Sequence, residues 1–153
     1  MVGTVITYPD KFFTLNDRYY GGRALDNRAG GFMISQVARL IKENRVELPF
    51  TLHVVNSVQE EIGLKGAEMI AHRLNPDVAI ITDVCHDTTT PMIDKKKEGL
   101  TKCGAGPVLC VGPSVQNKLR DFIEDTAVSH DISFQRLAIS RLSTDTDAFA
   151  YSQ

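Results

Sequence analysis

The sequence predicts an α/β sandwich with a largely parallel sheet. Three observations predict it. Short apolar, β-rich runs alternate with segments of helical periodicity along the chain. The run Asp77-Val-Ala-Ile-Ile-Thr82 is apolar without interruption, as expected of a strand covered on both faces. Carboxylates recur at the junctions where one element gives way to the next, at Asp26, at Glu60-Glu61 and at Asp83. In open α/β sheets ligands gather at the carboxyl ends of strands, so junction carboxylates stand where chemistry is done.

At 153 residues the chain is one domain of ordinary size. Its 42% hydrophobic and 24% charged residues are average for a globular protein. A net charge of −2 gives no electrostatic case for nucleic acid or an anionic membrane, and neither is expected as a partner. The longest apolar runs are far short of a membrane span, and the N-terminus lacks the pattern of a secretory signal. Three cysteines, odd in number and irregularly spaced, argue for reduced thiols in a cytoplasmic protein. There is no Cys-x-x-Cys pair for a structural zinc site.

Val2, Val5 and Ile6 suggest a short strand that Tyr8-Pro9-Asp10 breaks. Phe12-Phe13 and Tyr19-Tyr20 are expected to be buried, and Gly21-Gly22 to turn. Ala29, Phe32, Met33, Val37, Leu40 and Ile41 recur at helical spacing and predict a helix from about Asn27 to Asn44. Asp26 at its N-terminal edge is either a capping carboxylate or part of a site. Gly30-Gly31 early in that helix costs roughly 1 kcal/mol per residue against Ala, which suggests close approach of another backbone or a ligand.

Residues 49–58 read as a buried strand with His53 as a satisfied core or sheet-face histidine, and Glu60 and Glu61 follow at its carboxyl end. Gly63 and Gly66 frame a turn into a helix of about 64–74, which Asn75-Pro76 stops. The strand 77–82 ends at Asp83, a carboxylate that would be costly to bury unless paired or metal-bound. Residues 84–107 form a long connection that includes the solvated Lys95-Lys96-Lys97. Val108–Val111 is a short strand. A helix from about Ser114 to Ser129 follows, with Ser114 as cap and Val115, Leu119, Phe122, Ile123 and Ala127 inward. Residues 132–139 make the last strand and 140–150 a loop.

Neighbouring carboxylates serve two hydrolytic chemistries. A facing acid and base can cleave a glycosidic bond. Alternatively, carboxylates neutralise one or two divalent ions while one that is not a ligand takes a proton from water. Adjacent Glu60 and Glu61 suit the second division of labour. On an extended backbone their side chains diverge, one towards a metal and one towards water.

Three segments carry a resemblance: Ala24-Leu-Asp-Asn-Arg-Ala-Gly30, Val58-Gln-Glu-Glu-Ile-Gly-Leu-Lys-Gly-Ala67, and Asp83-Val84 with His86 and Thr90-Pro91. Together they resemble the tetrahedral (TET-type) di-zinc aminopeptidases, some of which were once described as cellulases. Gly104-Ala-Gly-Pro-Val108 and Thr146-Asp-Ala148 match two further family segments. The resemblance implies a three-layer α/β/α sandwich with a mixed, largely parallel sheet, incomplete in this chain. Residues 1–153 would be part of the catalytic domain, and 1–20 the tail of an inserted β-barrel domain. It implies Asp26 as the aspartate bridging two metals, Glu60 as general base, and Glu61 and Asp83 as ligands of one metal each. Two divalent ions, zinc or cobalt, short peptide substrates cleaved at the N-terminus, and a cytoplasmic dodecamer are implied likewise. No organic cofactor is.

The sequence also departs from the family. No His precedes His53, no His-x-Asp motif exists, and the segment matching Asp147 is not followed by the last metal histidine. None of His53, His72, His86 and His130 stands at either position, so the implied shell is two imidazoles short. The chain is therefore expected to be a fragment of a longer enzyme, inactive alone. A binding or scaffold module of the same fold, able to hold a hard ion weakly, is the alternative. A carboxylate-pair glycosidase ranks lower, since Trp is absent and aromatic sugar platforms are scarce.

Overall fold

A computed structural model describes residues 2–4, 6–7, 10–138 and 143–152. The chain divides into two compact units, one of Met1–Val55 with Thr82–Val84, the other of Asn56–Ile81 with Cys85–Gln153.

The first unit opens with a hairpin. Strand β1 (Phe13–Leu15) pairs antiparallel with β2 (Tyr19–Gly21), Phe13 opposite Gly21. Asn16 and Asp17 turn the chain with φ of 52° and 51°, a region these side chains tolerate better than most. Phe12 stacks on Tyr20 at 5.2 Å between ring centroids. The expected burial of Phe12, Phe13, Tyr19 and Tyr20 is not met, and all four are exposed. A two-stranded ribbon has two open faces, and no described element covers these rings. Gly21 belongs to β2 and not to a turn. Of the expected first strand, Val2 and Ile6 are not in a strand, while Val5, Tyr8 and Pro9 lie outside the described residues.

Helix α1 (Leu25–Glu43) matches the spacing that predicts it. Its Asn44 C-cap donates both its backbone N–H and its side-chain amide to the Leu40 carbonyl, satisfying an orphan acceptor. The expected strand 49–58 is absent from the described structure, and Phe50, Leu52, His53 and Val54 are exposed. A β-strand exists only by pairing, and no described segment pairs with this one.

In the second unit, helix α2 (Lys65–Leu74) buries Ala67 and Ala71 and packs against helix α5 (Asp145–Tyr151). Asn75 ends α2 in the left-handed region, its N–H bonded to Ala71. The expected strand 77–82 is also unformed, again without a described partner. Ile80 is 66% exposed, so the expectation of cover on both faces fails. The lysine run forms a single turn, α3 (Lys95–Glu98), capped by the Asp94 carboxylate.

Strand β3 (Val108–Val111), helix α4 (Asn117–Ser129) and strand β4 (Gln135–Ala138) make a crossover unit. The strands pair in parallel, Cys110 opposite Leu137, and α4 packs on β3. The cap of α4 is Gln116, not Ser114. Its side-chain oxygen accepts from the Leu119 N–H at 2.7 Å. Ala127 points inward as expected, whereas Phe122 is 68% exposed. Ile139, the expected end of β4, and residues 140–142 lie outside the described residues. Of the rest of the expected loop, Ser143 and Thr144 are irregular as expected, whereas residues from Asp145 onward form α5, whose Asp145 and Asp147 complement the positive end of the helix. Among the described residues, no helix is long and apolar enough to cross a membrane.

Candidate functional site

The four sequence-predicted carboxylates fall into two groups, Asp26 and Asp83 in the first unit, Glu60 and Glu61 in the second.

Asp26 sits in the first turn of α1, exposed, with φ −81° and ψ 109°, and its peptide bond to Asn27 is cis. It does not cap the helix. That role falls to Asn27, whose Oδ1 accepts from the Gly30 N–H at 2.9 Å. The Asn27 Nδ2 donates to the Thr82 carbonyl at 2.8 Å. One amide thus joins the residue after Asp26 to the residue before Asp83. Gly30 makes this possible, because a Cβ there would stand 2.5 Å from Asn27 Oδ1. The close approach expected of the glycine pair is therefore to a side chain of the same junction. Asp83 is exposed, and its Oδ1 accepts from the N–H of Val84 at 2.7 Å.

Glu60 and Glu61 lie in a turn, which corrects their expected place at the end of an extended strand. Gln59 adopts φ 62°, and the Glu60 carbonyl accepts from both Gly63 and Leu64, each at 3.1 Å. The Gly66 N–H donates to Val58 at 3.0 Å, and a Cβ on Gly66 would stand 2.3 Å from that carbonyl oxygen. The turn is thereby pressed onto the start of α2. Glu60 is half-buried and Glu61 exposed, so the adjacent carboxylates occupy different environments without an extended backbone.

Two features escaped sequence reasoning. Asn27 stands beside Asp26, and both residue types are favoured helix caps, so residue type alone does not choose between them. Ser57, just before the acidic turn, donates to Asp145 Oδ2 at the start of α5. The Thr144-x-x-Asp147 spacing could have announced that helix. Thr144 Oγ1 and Asp145 Oδ1 are buried without a hydrogen-bond partner among the described residues. Of the two further motif segments, Gly106 accepts from Gln135 at 3.0 Å, and Asp147 accepts from Ser143 at 2.8 Å.

His53 is exposed and in no strand, against its expected place in a sheet or core. Among the described residues no three His, Cys, Asp or Glu side chains converge to hold a metal ion. Catalytic zinc ions take about three protein ligands each, imidazole, thiolate or carboxylate, and keep one position open for water. The donors of this chain alone do not fit two zinc ions. An open recess of about 410 Å³ is lined by Asp77, Val78, Ala79, Gln116, Lys118 and Leu119, none of them a predicted site residue.

The fold is that of the TET aminopeptidases of known structure. An enzyme from the marine sediment archaeon Thaumarchaeota archaeon SCGC AB-539-E09 superposes with a TM-score of 0.80 at 31% identity, over 90% of this chain and 39% of that one. PhTET1-12s, a dodecamer, superposes with a TM-score of 0.68 at 25% identity, over 92% of this chain and 42% of its own. The family model of the M42 glutamyl aminopeptidases matches residues 1–153, and the chain belongs to that family. A lysyl aminopeptidase of Pyrococcus furiosus is 32% identical over 147 residues, covering 96% of this chain. The putative aminopeptidase FrvX of Escherichia coli is 31% identical over 147 residues, covering 94%. The chain spans about 40% of the length of each of these two relatives.

Proposed function

We propose that the whole protein is a metal-dependent aminopeptidase that removes N-terminal residues from short peptides, and that this chain supplies its carboxylates. The observation that carries the reading is the family match across residues 1–153, which includes Asp26, Glu60, Glu61 and Asp83 in their motif contexts. Glu60, half-buried in its clamped turn, is assigned the proton transfers. It takes a proton from the water that attacks the first peptide carbonyl and returns it to the departing amine. Asp26, Glu61 and Asp83 are assigned as carboxylate ligands of a pair of divalent ions, zinc or cobalt. The remaining ligands come from outside this sequence. The clasp between Asn27 and Thr82 supports the pairing of Asp26 with Asp83, since it ties their two junctions together. By analogy with the dodecameric neighbour, the whole protein is proposed to assemble as a homo-oligomer, and the odd number of free cysteines favours the cytoplasm.

The test is hydrolysis of aminoacyl-nitroanilides by the whole protein. Turnover is expected only with zinc or cobalt, and Glu60→Gln is expected to abolish it while metal content stays unchanged. Retained turnover in that variant removes Glu60 as the base. The 153-residue chain alone is expected to be inactive, and calorimetry finding two tightly bound zinc ions per chain would overturn the view that its donor set is incomplete.

A further inference from the structure

The proposed function leaves one chemical pair unused. Cys85 and Cys103 are both exposed free thiols in the second unit. Eighteen residues apart in sequence, they are brought to one place by the pairing of two short segments. The Thr88 N–H and hydroxyl both donate to the Thr101 carbonyl, at 3.0 and 3.2 Å, and the Thr101 N–H donates back to Thr88 Oγ1 at 2.9 Å. Both threonines are buried, Thr101 almost completely. Cys85 immediately precedes the His86-Asp87 dipeptide, and Cys103 is bonded to it from the other segment. Cys85 Sγ lies 3.9 Å from the His86 carbonyl oxygen, which also accepts from Thr101 Oγ1 at 2.6 Å. The Cys103 N–H donates to Asp87 Oδ2 at 3.0 Å.

A disulfide needs its two Cα atoms within about 7 Å and its Cβ atoms facing. The bonds of Thr88 to Thr101 and of Cys103 to Asp87, two residues from Cys85, bring the two cysteine-bearing segments side by side. Among the described residues no metal cluster claims these thiols. We propose that Cys85 and Cys103 are a redox pair that closes to an intramolecular disulfide, pinning shut the loop that carries α3. The oxidant is a small-molecule disulfide of the glutathione class. One protein thiolate attacks a sulfur of that disulfide and releases one small thiol. The second protein thiolate attacks the resulting mixed disulfide and releases another. The pair loses two electrons and two protons, which leave on the two small thiols.

The proposal is independent of peptidase activity, and the 153-residue chain serves for its test. After incubation in a glutathione redox buffer, the intact mass is expected to fall by two hydrogen atoms. After trypsin cleavage, which includes the exposed Lys95–Lys97, the peptide with Cys85 and the peptide with Cys103 should then stay joined and separate only on reduction. Cys110→Ser should keep the link, while Cys85→Ser and Cys103→Ser should each lose it. Separate glutathione adducts on the two cysteines, a link between two chains, or a link that survives Cys103→Ser would each overturn the proposal. The wild-type mass measurement decides even if a variant fails to fold.

Discussion

The Asn27 side-chain amide donates to the Thr82 carbonyl across 2.8 Å and accepts from the Gly30 N–H across 2.9 Å. Both ends of the amide are thus committed, one to capping a helix and one to holding the residue before Asp83. Asn27→Ala removes both bonds, and the chain should lose about 1–3 kcal/mol. Asn27→Asp keeps the cap but replaces the donor facing Thr82 with an acceptor, so it too should destabilise. Urea titration of the two variants beside the parent checks both. A parent-like midpoint for Asn27→Asp would mean that the bond to Thr82 contributes nothing.

Gly30→Ala should reverse the usual rule for helices. At an unconstrained interior site the change gains about 1 kcal/mol. Here the new Cβ would meet Asn27 Oδ1 at 2.5 Å and displace the amide. A net loss of stability is expected. Combining it with Asn27→Ala should restore the ordinary gain, because the obstructing group is gone. Denaturation midpoints of the three variants settle the sign.

Gly66→Ala presses on backbone, which cannot swing aside. The Cβ would come within 2.3 Å of the Val58 carbonyl oxygen and push the acidic turn off α2. It should cost more than Gly30→Ala. In the whole protein, a shift of Glu60 by about 1 Å should lower kcat about 10²-fold. Unimpaired turnover in a folded Gly66→Ala variant would detach the turn from the proposed chemistry.

Stability should fall in acid through two identifiable carboxylates. Glu124 is held below its ordinary value of 4.5, chiefly by the hydrogen-bonding fork of Arg136. Asp87 is held below 3.8, first by the Thr89 hydroxyl and then by the backbone N–H groups of Cys103 and Thr89. A depressed folded pKa means stabilisation present in full above the unfolded value and lost as pH drops through the folded one. The urea midpoint should therefore hold from neutrality to about pH 5 and then decline. Arg136→Gln should flatten the part due to Glu124. An identical pH profile in that variant would show that the fork is without effect on stability.

Helices were legible in the sequence because their signal is carried within the segment. The spacing of Ala67, Ile70, Ala71 and Leu74 gives α2 to within one residue. The runs 49–58 and 77–82 have the composition of strands, but a strand is made by its neighbour, and composition cannot report whether one stands beside it. The same asymmetry explains α5. Ser, Thr and Asp read as loop by frequency, yet in Thr144–Asp147 they are the opening of a helix. Of the candidate site, the acidic residues stand out in the sequence by residue type and by their place at element junctions. Asn27, which ties two of their junctions together, does not, because its partner is a backbone carbonyl and leaves no trace in residue type.

The separation of 55 residues between Asn27 and Thr82 sets an order of events. The β3–α4–β4 crossover closes over a stretch about half as long, contiguous in sequence, with a ladder and a packed helix to reward it. Each doubling of a closed loop adds about 0.6 kcal/mol of entropic cost, and the Asn27 clasp returns one hydrogen bond for the longer closure. During refolding the crossover should acquire amide-exchange protection early, and the Asn27–Thr82 junction late. The acidic junctions at Asp26 and Asp83 would then be among the last parts of the chain to settle and the first to loosen.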